Sequence, residues 1–380
     1  MIRTINSNSV VSQSNCILLL GAGASKPLKL PLMSDFWPIV YKAPFRDDAR
    51  KALDKLREVY LIRNGHDEFP DLENILDLIE TYHSYYQIMF DDPIFKWDLY
   101  DKTMEKYWLF PSQEPKRKDY IQEHIKADIE LSSGISLARN ALYRIIFEKF
   151  APTLDLQEVC NLYNPLFKTL FQKFNQNYIP VFTTNYDLVL ETYAEDGHYP
   201  METGFERVGG RLIWSPHVFH KFRPKQDVQT ILLFKLHGSV SWKNEDGKVI
   251  NYGLSLTGGP GNSVLIYPTQ TKEYPYEEPF KTAYTHLSEC LRNTHFLIAI
   301  GYGFRDRGMN SIIEEAVNFN KDLYIVNICG VSDTYSESNT AKLFPRERIS
   351  TIRKNFEINL AADYLNELIS LLTYRGLPTK

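Results

Sequence analysis

The sequence lacks the features that define several large classes of protein. Its 380 residues include only four cysteines, and no two of them form a C-x-x-C pair. Cysteine zinc sites and disulfide scaffolds both need clustered cysteines, so we expect neither. No apolar run approaches the roughly 20 residues of a membrane-spanning helix. The first such run, Cys16–Leu20, is also shorter than the roughly 7–15 residues of a signal-peptide core.

A strong charge of either sign is absent as well. The formal net charge is -4, and 24% of the residues are charged. This balance gives no general attraction to nucleic acid or to anionic lipid. With 43% hydrophobic residues, the composition is typical of a globular protein with about two to three structural units. We therefore expect a cytoplasmic protein that binds neither nucleic acid nor membrane directly.

The order of apolar runs predicts an α/β fold. Cys16–Leu20 is short, apolar and followed by glycine, which is typical of a buried parallel strand. Strands alternating with helices favour a Rossmann-like parallel sheet with helices on both faces. Gly209-Gly210 and Asp246-Gly247 each indicate the turn of a hairpin. The other expected strands are Tyr178–Thr184, Ile231–Leu236, Val264–Tyr267, His295–Ile300 and Leu323–Ile328, and the expected helices are Leu188–Tyr193, Pro279–Arg292, Met309–Phe319 and Leu360–Thr373.

A glycine-poor stretch with helical periodicity interrupts this pattern. We assign residues 10–44 and 155–380 to the Rossmann-like core, and 45–154 to a large helical insertion. Its expected helices are Asp47–Asn64, Asp71–Tyr86 and Ile121–Phe150, the last of which Gly134 could break. Its aromatic residues, Tyr82, Tyr85, Tyr86, Trp97 and Tyr100, suit either self-association or a satellite core within the monomer.

The segment Gly21-Ala22-Gly23-Ala24-Ser25 follows the first strand directly. Backbone N–H groups at such a turn can bind phosphate, and glycine lets the phosphate approach. The dinucleotide fingerprint G-x-G-x-x-G is not met, because Lys26 stands where its third glycine would be, and the triphosphate loop is absent. A phosphate-binding loop and a plain tight turn therefore both remain open from this segment alone.

Polar residues also follow the second and third strands of the predicted sheet. Thr184, Asn185 and Asp187 come at the end of one strand, although Asp187 could equally cap the next helix. His237 comes directly after another strand, where a histidine can act as a base near neutral pH. Ligands of open α/β sheets bind beyond the carboxyl ends of the strands. We therefore expect these segments to converge on one crevice.

Two later strands contribute similar residues. Gly301 and Gly303 follow one of them, and Asn327 lies near the end of the other. Each of the five segments is unexceptional by itself, but all five are expected at strand ends.

Taken in order from about Asn15 to Gly330, these motifs resemble the sirtuin-like (silent information regulator) family. That family's glycine-alanine-glycine-x-serine loop is similar to residues 21–25, and its threonine-glutamine-asparagine-isoleucine-aspartate motif is similar to residues 183–187. Its histidine-glycine pair resembles His237-Gly238. Its glycine-threonine-serine loop and valine-asparagine pair loosely resemble residues 301–303 and 326–327.

The resemblance implies an enzyme that uses NAD+ as its substrate. Two departures point away from a protein deacylase: the chain cannot build the four-cysteine zinc module, and Thr184 and Tyr186 replace a glutamine and an isoleucine. In both the missing zinc and the helical insertion, the chain looks more like the bacterial NAD-cleaving effectors of antiphage defence. By resemblance, the catalytic residues are Asn185 and His237, and the NAD-binding residues are Gly21, Ala22, Gly23, Ser25, Thr184, Asp187, Gly301, Gly303 and Asn327.

We therefore expect an NAD+ hydrolase that releases nicotinamide and ADP-ribose, with no metal. The alternatives are an NAD-dependent protein deacylase, an ADP-ribosyltransferase and a non-enzymatic scaffold that senses NAD or ADP-ribose. An unrestrained NAD hydrolase would harm its host, so we expect control by homo-oligomerisation or by a partner. The resemblance implies a DNA translocase-type (HerA-like) ATPase or an Argonaute-like protein as that partner.

Overall fold

The computed structural model describes residues 14–64, 70–91, 114–255, 263–266, 277–357 and 361–375. The chain divides into two compact units. One comprises the described parts of Met1–Leu32, Phe147–Ile266 and Lys272–Lys380, and the other lies within Met33–Ile146. Within the described ranges, no helix is both long enough and apolar enough to cross a membrane.

Seven parallel strands form the main sheet of the first unit, in the order β12-β11-β10-β1-β2-β6-β3. Five of them, β1, β2, β6, β10 and β11, are buried along their whole length, which explains their continuous apolar runs. The predicted α/β fold with a parallel sheet is confirmed. The seven strands are β1 (Cys16–Leu20), β2 (Tyr178–Thr183), β3 (Met201–Glu202), β6 (Thr230–Lys235), β10 (Phe296–Ile300), β11 (Tyr324–Cys329) and β12 (Ile349–Arg353).

Helices cover both faces of this sheet. Leu297 and Ala299 of β10 belong to a core cluster with residues of two helices, α8 (Phe280–Asn293) and α9 (Arg307–Phe319). Phe296 points to the opposite face, where its ring lies 5.6 Å from that of Phe174 in another helix, α5. The remaining helices of the unit are α5 (Leu156–Phe174), α6 (Val189–Ala194), α7 (His217–Lys221), α10 (Thr334–Leu343) and α11 (Ala361–Tyr374).

The two predicted hairpins are confirmed, and together they build a second sheet that the sequence reasoning did not predict. Its order is β4-β5-β8-β7-β9, and its pairs are antiparallel. Gly209 and Gly210 have φ of 57° and 83°, as the two-residue turn between β4 and β5 requires. The strands are β4 (Phe205–Val208), β5 (Arg211–Trp214), β7 (Gly238–Glu245), β8 (Lys248–Asn251) and β9 (Ser263–Leu265).

The second unit is helical. Gly134 does not break its long helix, which continues through this position. A Cβ here would lie 2.6 Å from the carbonyl oxygen of Asp48 in a neighbouring helix. The glycine instead permits a close helix–helix approach. Tyr86 is buried while Tyr85 is exposed, and Trp97 and Tyr100 lie outside the described residues. The helices are α1 (Phe36–Lys42), α2 (Asp47–Asn64), α3 (Leu72–Asp91) and α4, which runs from Glu114 to Phe150 and so crosses the boundary of the unit.

Candidate active site

Five neighbouring strands of the parallel sheet end at one level. Leu20, the last residue of β1, is in register with Ile300 of β10 and Thr183 of β2. The same level continues through Ile328 of β11 and Lys235 of β6. Because neighbouring strands lie about 4.8 Å apart, these five ends form a row roughly 19 Å long. All the glycine and polar segments singled out in the sequence lie at this edge.

The strand order changes direction beside β1. After β1 the chain proceeds to β2, β3 and β6 on one side of it, and later to β10, β11 and β12 on the other side. In open α/β sheets, ligands bind at such a switch point, beyond the carboxyl ends of the strands. The loops that follow β1 and β10 meet at this place.

Glycine is required at this meeting point because two backbones touch. The amide of Gly23 donates to the carbonyl oxygen of Gly301 at 3.0 Å. A Cβ at Gly21 would lie 2.5 Å from that same oxygen, and a Cβ at Gly23 would lie 2.6 Å from the Gly301 Cα. Gly301 itself has a φ of 61°, which L side chains rarely adopt. The glycine loop therefore has a structural function beyond that of a plain turn.

Asn185 connects the segment after β2 to the glycine loop. Its Nδ2 donates to the carbonyl oxygen of Gly21 and to the hydroxyl of Ser25, both at 3.0 Å. Its backbone amide donates to the hydroxyl of Thr183, at 3.1 Å. The amide oxygen of Asn185 accepts no hydrogen bond from any residue in the described part of the chain. A ligand or a water molecule could therefore be oriented by this oxygen.

Asp187 has two functions at once. Its Oδ2 accepts a hydrogen bond of 2.7 Å from the Ser25 hydroxyl, and its Oδ1 accepts one of 3.1 Å from the amide of Val189 in α6. Asp187 thus binds the first amide of α6, although the N-cap residue of that helix is Leu188, and its contact with Ser25 is a second role. Beneath it, the buried ammonium of Lys235 donates to the Asp187 carbonyl and to Glu191.

His237 is buried just beyond the end of β6. Its Nε2 lies 3.3 Å from Oδ2 of Asp306, and the two side chains are only 7% and 13% exposed. The backbone around it is fixed, because the His237 carbonyl accepts from the amide of Ile266 at 2.9 Å. The Ile266 carbonyl accepts in turn from the hydroxyl of Tyr186 at 2.5 Å. A base at this position would have a carboxylate beside it.

The loop after β10, residues 301–306, is held by side chains from two helices. Three successive carbonyl oxygens each accept a side-chain hydrogen bond. Tyr302 accepts from Ser336 at 3.0 Å, Gly303 from Asn339 at 3.0 Å, and Phe304 from Asn310 at 2.9 Å. The contacts fix the path of the chain up to Asp306.

Burial sorts the predicted NAD-binding residues into two groups. Gly21, Ser25, Asp187 and Asn327 are buried, and Asn327 uses its amide to bind Ser336 at 3.0 Å. These buried residues stabilise the loops at the edge of the sheet. The partly exposed group, which a ligand could reach, consists of Ala22, Gly23, Thr184, Gly301 and Gly303, and the predicted catalytic residue Asn185 is partly exposed as well.

Sequence reasoning missed the position of Asp306 beside His237. An aspartate between a strand and a helix indicates a helix cap, and Asp306 does cap α9. That signal says nothing about its second oxygen, because His237 is 69 positions away in the chain. Only the sheet order, which puts β10 and β6 at the same edge, brings the two together.

The four cysteines lie in four different elements, namely β1, α5, α8 and β11, and all of them are buried and free. Burial raises the pKa of Cys16 and that of Cys290, so both thiols stay protonated at neutral pH. In the described ranges, no group of three or more His, Cys, Asp or Glu side chains is arranged to hold a metal ion.

Residues 180–345 match the family model of the SIR2-like domain. Among solved structures, the chain is similar to a Sir2 in complex with a p53 peptide and NAD+, with 10% identity, a TM-score of 0.37 and coverage of 93% of both chains. It is also similar to Sir2Tm bound to a propionylated peptide, with 10% identity, a TM-score of 0.36 and coverage of 94% of both chains. Cytosolic 5'-nucleotidase IIIB bound to cytidine matches at 11% identity and a TM-score of 0.29, over 95% of this chain and 86% of that one. No curated protein matches the chain.

Proposed function

We propose that this protein is an NAD+ hydrolase that cleaves NAD+ into nicotinamide and ADP-ribose. The observation that carries the proposal is the buried His237, which pairs with Asp306 at the carboxyl edge of the sheet. Both residues lie inside the region that matches the SIR2-like domain. The hydrogen-bonded network of Asn185, Ser25 and Asp187 at the same edge supports it.

The chemistry of NAD+ requires little of such a site. Nicotinamide is joined to ribose through a cationic nitrogen, so it leaves as a neutral molecule without a strong general acid. The site must stabilise an oxocarbenium-like ribose and deliver water to its open face. Water attacks the ribose carbon, the electron pair of the breaking C–N bond goes to nicotinamide, and a base accepts the proton of water.

The residues divide these tasks as follows. His237 accepts the proton, from water or through a ribose hydroxyl, and Asn185 orients the water and the ribose through its amide oxygen. Ser25 and Asp187 hold Asn185 in place. The partly exposed backbone of Ala22 and Gly23 faces the pyrophosphate, and Gly301 and Gly303 line the adenosine half.

The test is product analysis of NAD+ incubated with the purified protein. Wild-type protein is expected to release nicotinamide and ADP-ribose, and His237→Ala and Asn185→Ala are expected to remove this activity without unfolding the protein. A general base contributes roughly 10²–10⁴-fold to a rate, so the first loss should be easy to detect. His198→Ala, which removes an exposed histidine, is the matched control. Cleavage by His237→Ala at the native rate would show that the assignment is wrong.

The same assay separates the rival activities. A protein deacylase would release nicotinamide only when an acylated lysine peptide is added. An ADP-ribosyltransferase would leave labelled ADP-ribose on protein. A sensing scaffold would bind NAD+ or ADP-ribose without forming product.

The finer proposal is that cleavage depletes cellular NAD+ as an antiphage response, under the control of self-association or of a HerA-like ATPase or Argonaute-like partner. It rests on the resemblance of the sequence motifs. The assay should therefore be run with and without candidate partners, and intracellular NAD+ should be measured after expression of the wild-type chain and of His237→Ala. Equal NAD+ levels in the two cultures, in the presence of every candidate partner, would contradict depletion.

A further inference from the structure

The side chain of Asp306 uses its two oxygens for two different purposes. Oδ1 accepts a hydrogen bond of 3.2 Å from the amide of Met309 and so caps the 13-residue helix α9. Oδ2 lies 3.3 Å from Nε2 of His237. A helix cap needs only the first of these contacts. The second one connects a helix terminus to the base of the proposed reaction.

The orientation of the carboxylate is set by the backbone. The cap fixes Asp306 at the start of α9, where the partial positive charge of the helix favours the anionic form. The preceding loop cannot easily move, because Ser336, Asn339 and Asn310 hold its three successive carbonyl oxygens. Phe304, which is buried, is kept at a φ of 51° in this loop. The carboxylate is therefore presented to the imidazole by a rigid segment.

The histidine is held as firmly from its own side. Gly238 has a φ of 85°, and a Cβ there would lie 2.1 Å from the carbonyl oxygen of Val264. The chain after His237 is thus pressed against β9. The ring of Tyr186 lies 6.3 Å from the imidazole, centroid to centroid. Asp306 and Tyr186 are two titratable groups that lie beside this ring.

From this geometry we propose that Asp306 is a positioning residue for His237: its carboxylate orients the imidazole and compensates the charge that the imidazole gains on taking a proton. The proposal rests on the proposed NAD+ hydrolase function for its role in the reaction. The pairing itself does not depend on that function. Both side chains are largely buried, so water screens the interaction only weakly.

The decisive variant is Asp306→Asn. Asparagine caps a helix about as well as aspartate does, so the fold and the start of α9 are retained while the charge is removed. Asp155→Asn is the matched control, because Asp155 caps α5 through the same kind of bond, at 3.0 Å to the amide of Glu158. The melting temperatures of Asp306→Asn and Asp155→Asn should both stay close to that of the wild type.

Two readouts are needed. In protein labelled with 13C at histidine Cε1, the resonance of His237 is identified by its absence from His237→Gln, and its titration midpoint is measured. The midpoint should move to lower pH in Asp306→Asn and remain unchanged in Asp155→Asn, because an adjacent carboxylate favours the protonated imidazole. The kcat/KM for NAD+ cleavage should fall roughly 10²–10⁴-fold in Asp306→Asn, mainly through kcat.

The possible outcomes are distinct. An unchanged midpoint in Asp306→Asn overturns the pairing, and a changed midpoint with unchanged kcat/KM overturns its role in the reaction. If the wild type itself cleaves no NAD+, the proposed function fails, while the titration still decides whether the carboxylate acts on His237.

Discussion

At the scale of single residues, one buried histidine outside the site affects how the fold responds to acid. His286 is 2% exposed, and its ring packs against Phe219 and Phe234. Burial, with a smaller contribution from nearby His220, lowers its pKa from 6.5 to about 4. Its Nδ1 makes no hydrogen bond to any described residue, and the nearest carboxylate oxygen, that of Glu289, lies 3.8 Å away, so the neutral ring is held mainly by packing.

This predicts a loss of stability in mild acid. A histidine whose pKa is lower in the folded state binds a proton more weakly there than in the unfolded chain. Protonation at low pH therefore destabilises the folded protein, and above the unfolded pKa this loss is absent. The benefit of a neutral His286 is therefore complete above pH 6.5 and is lost as the pH falls towards 4. The loss amounts to about 3 kcal/mol. In His286→Phe, the unfolding free energy measured by urea titration should decrease less between pH 7.5 and pH 4.5 than in the wild type. An identical decrease in both proteins would contradict this explanation, and the exposed His198→Gln is the control.

Some residues of the candidate site could be predicted from the sequence, and the reason differs from residue to residue. Asn185 and His237 stand at strand ends, so local pattern alone marks them. Asp306 carries a cap signal that hides its second contact. The close approach of Gly23 to Gly301 was also out of reach, because nothing local tells that 278 positions further along another glycine faces it.

At the scale of elements, glycines perform two separable tasks, and three of them can be compared. Gly209 adopts a φ of 57° in a turn with nothing within 4 Å of a Cβ; Gly23 has an ordinary φ but touches backbone; Gly301 has both constraints. Substitution by alanine should therefore destabilise the protein least at Gly209, more at Gly23 and most at Gly301. A left-handed backbone costs about 1–2 kcal/mol, and a backbone overlap adds roughly 1–3 kcal/mol.

Urea unfolding of Gly209→Ala, Gly23→Ala and Gly301→Ala measures this order. No loss in Gly23→Ala, together with equal losses in Gly209→Ala and Gly301→Ala, would mean that backbone conformation alone matters and that the two loops can separate without cost. NAD+ cleavage should also fall in Gly23→Ala and Gly301→Ala, because these two substitutions disturb the switch point of the sheet. It should stay unchanged in Gly209→Ala, which lies in a hairpin turn.

Elements with a strong pattern were predicted well, and elements with a mixed pattern were missed. The continuous apolar runs of β1 and β10 and the glycine turns of the hairpins each have one physical reading. Helix α5 was not predicted, because Asn164-Pro165 in its middle is typical of a turn, whereas the structure keeps Pro165 inside the helix. The connection of the two hairpins into one sheet depends on pairing between β5 and β8, which no local pattern specifies.

At the scale of the whole molecule, bound NAD+ should stabilise the fold that contains its site. A ligand that binds only the folded state adds about 2.7 kcal/mol at a concentration 100 times its Kd. We expect NAD+ to raise the melting temperature of His237→Ala, in which the dinucleotide persists because cleavage is lost. Thermal unfolding of this variant with increasing NAD+ measures the effect. No change at any concentration, for a variant made from an active wild type, would mean that the substrate is bound elsewhere or only in an assembly.

The held loop of residues 301–306 sets a condition on protein engineering. Its conformation depends less on its own six residues than on hydrogen bonds from Asn310, Ser336 and Asn339, which belong to two helices further along the chain. Grafting the loop alone onto a related scaffold would leave three carbonyl oxygens unsupported and the aspartate at its end free to swing away. A graft that keeps the function would have to include both helices. This part of the protein is therefore one structural unit of about 40 residues rather than a short motif.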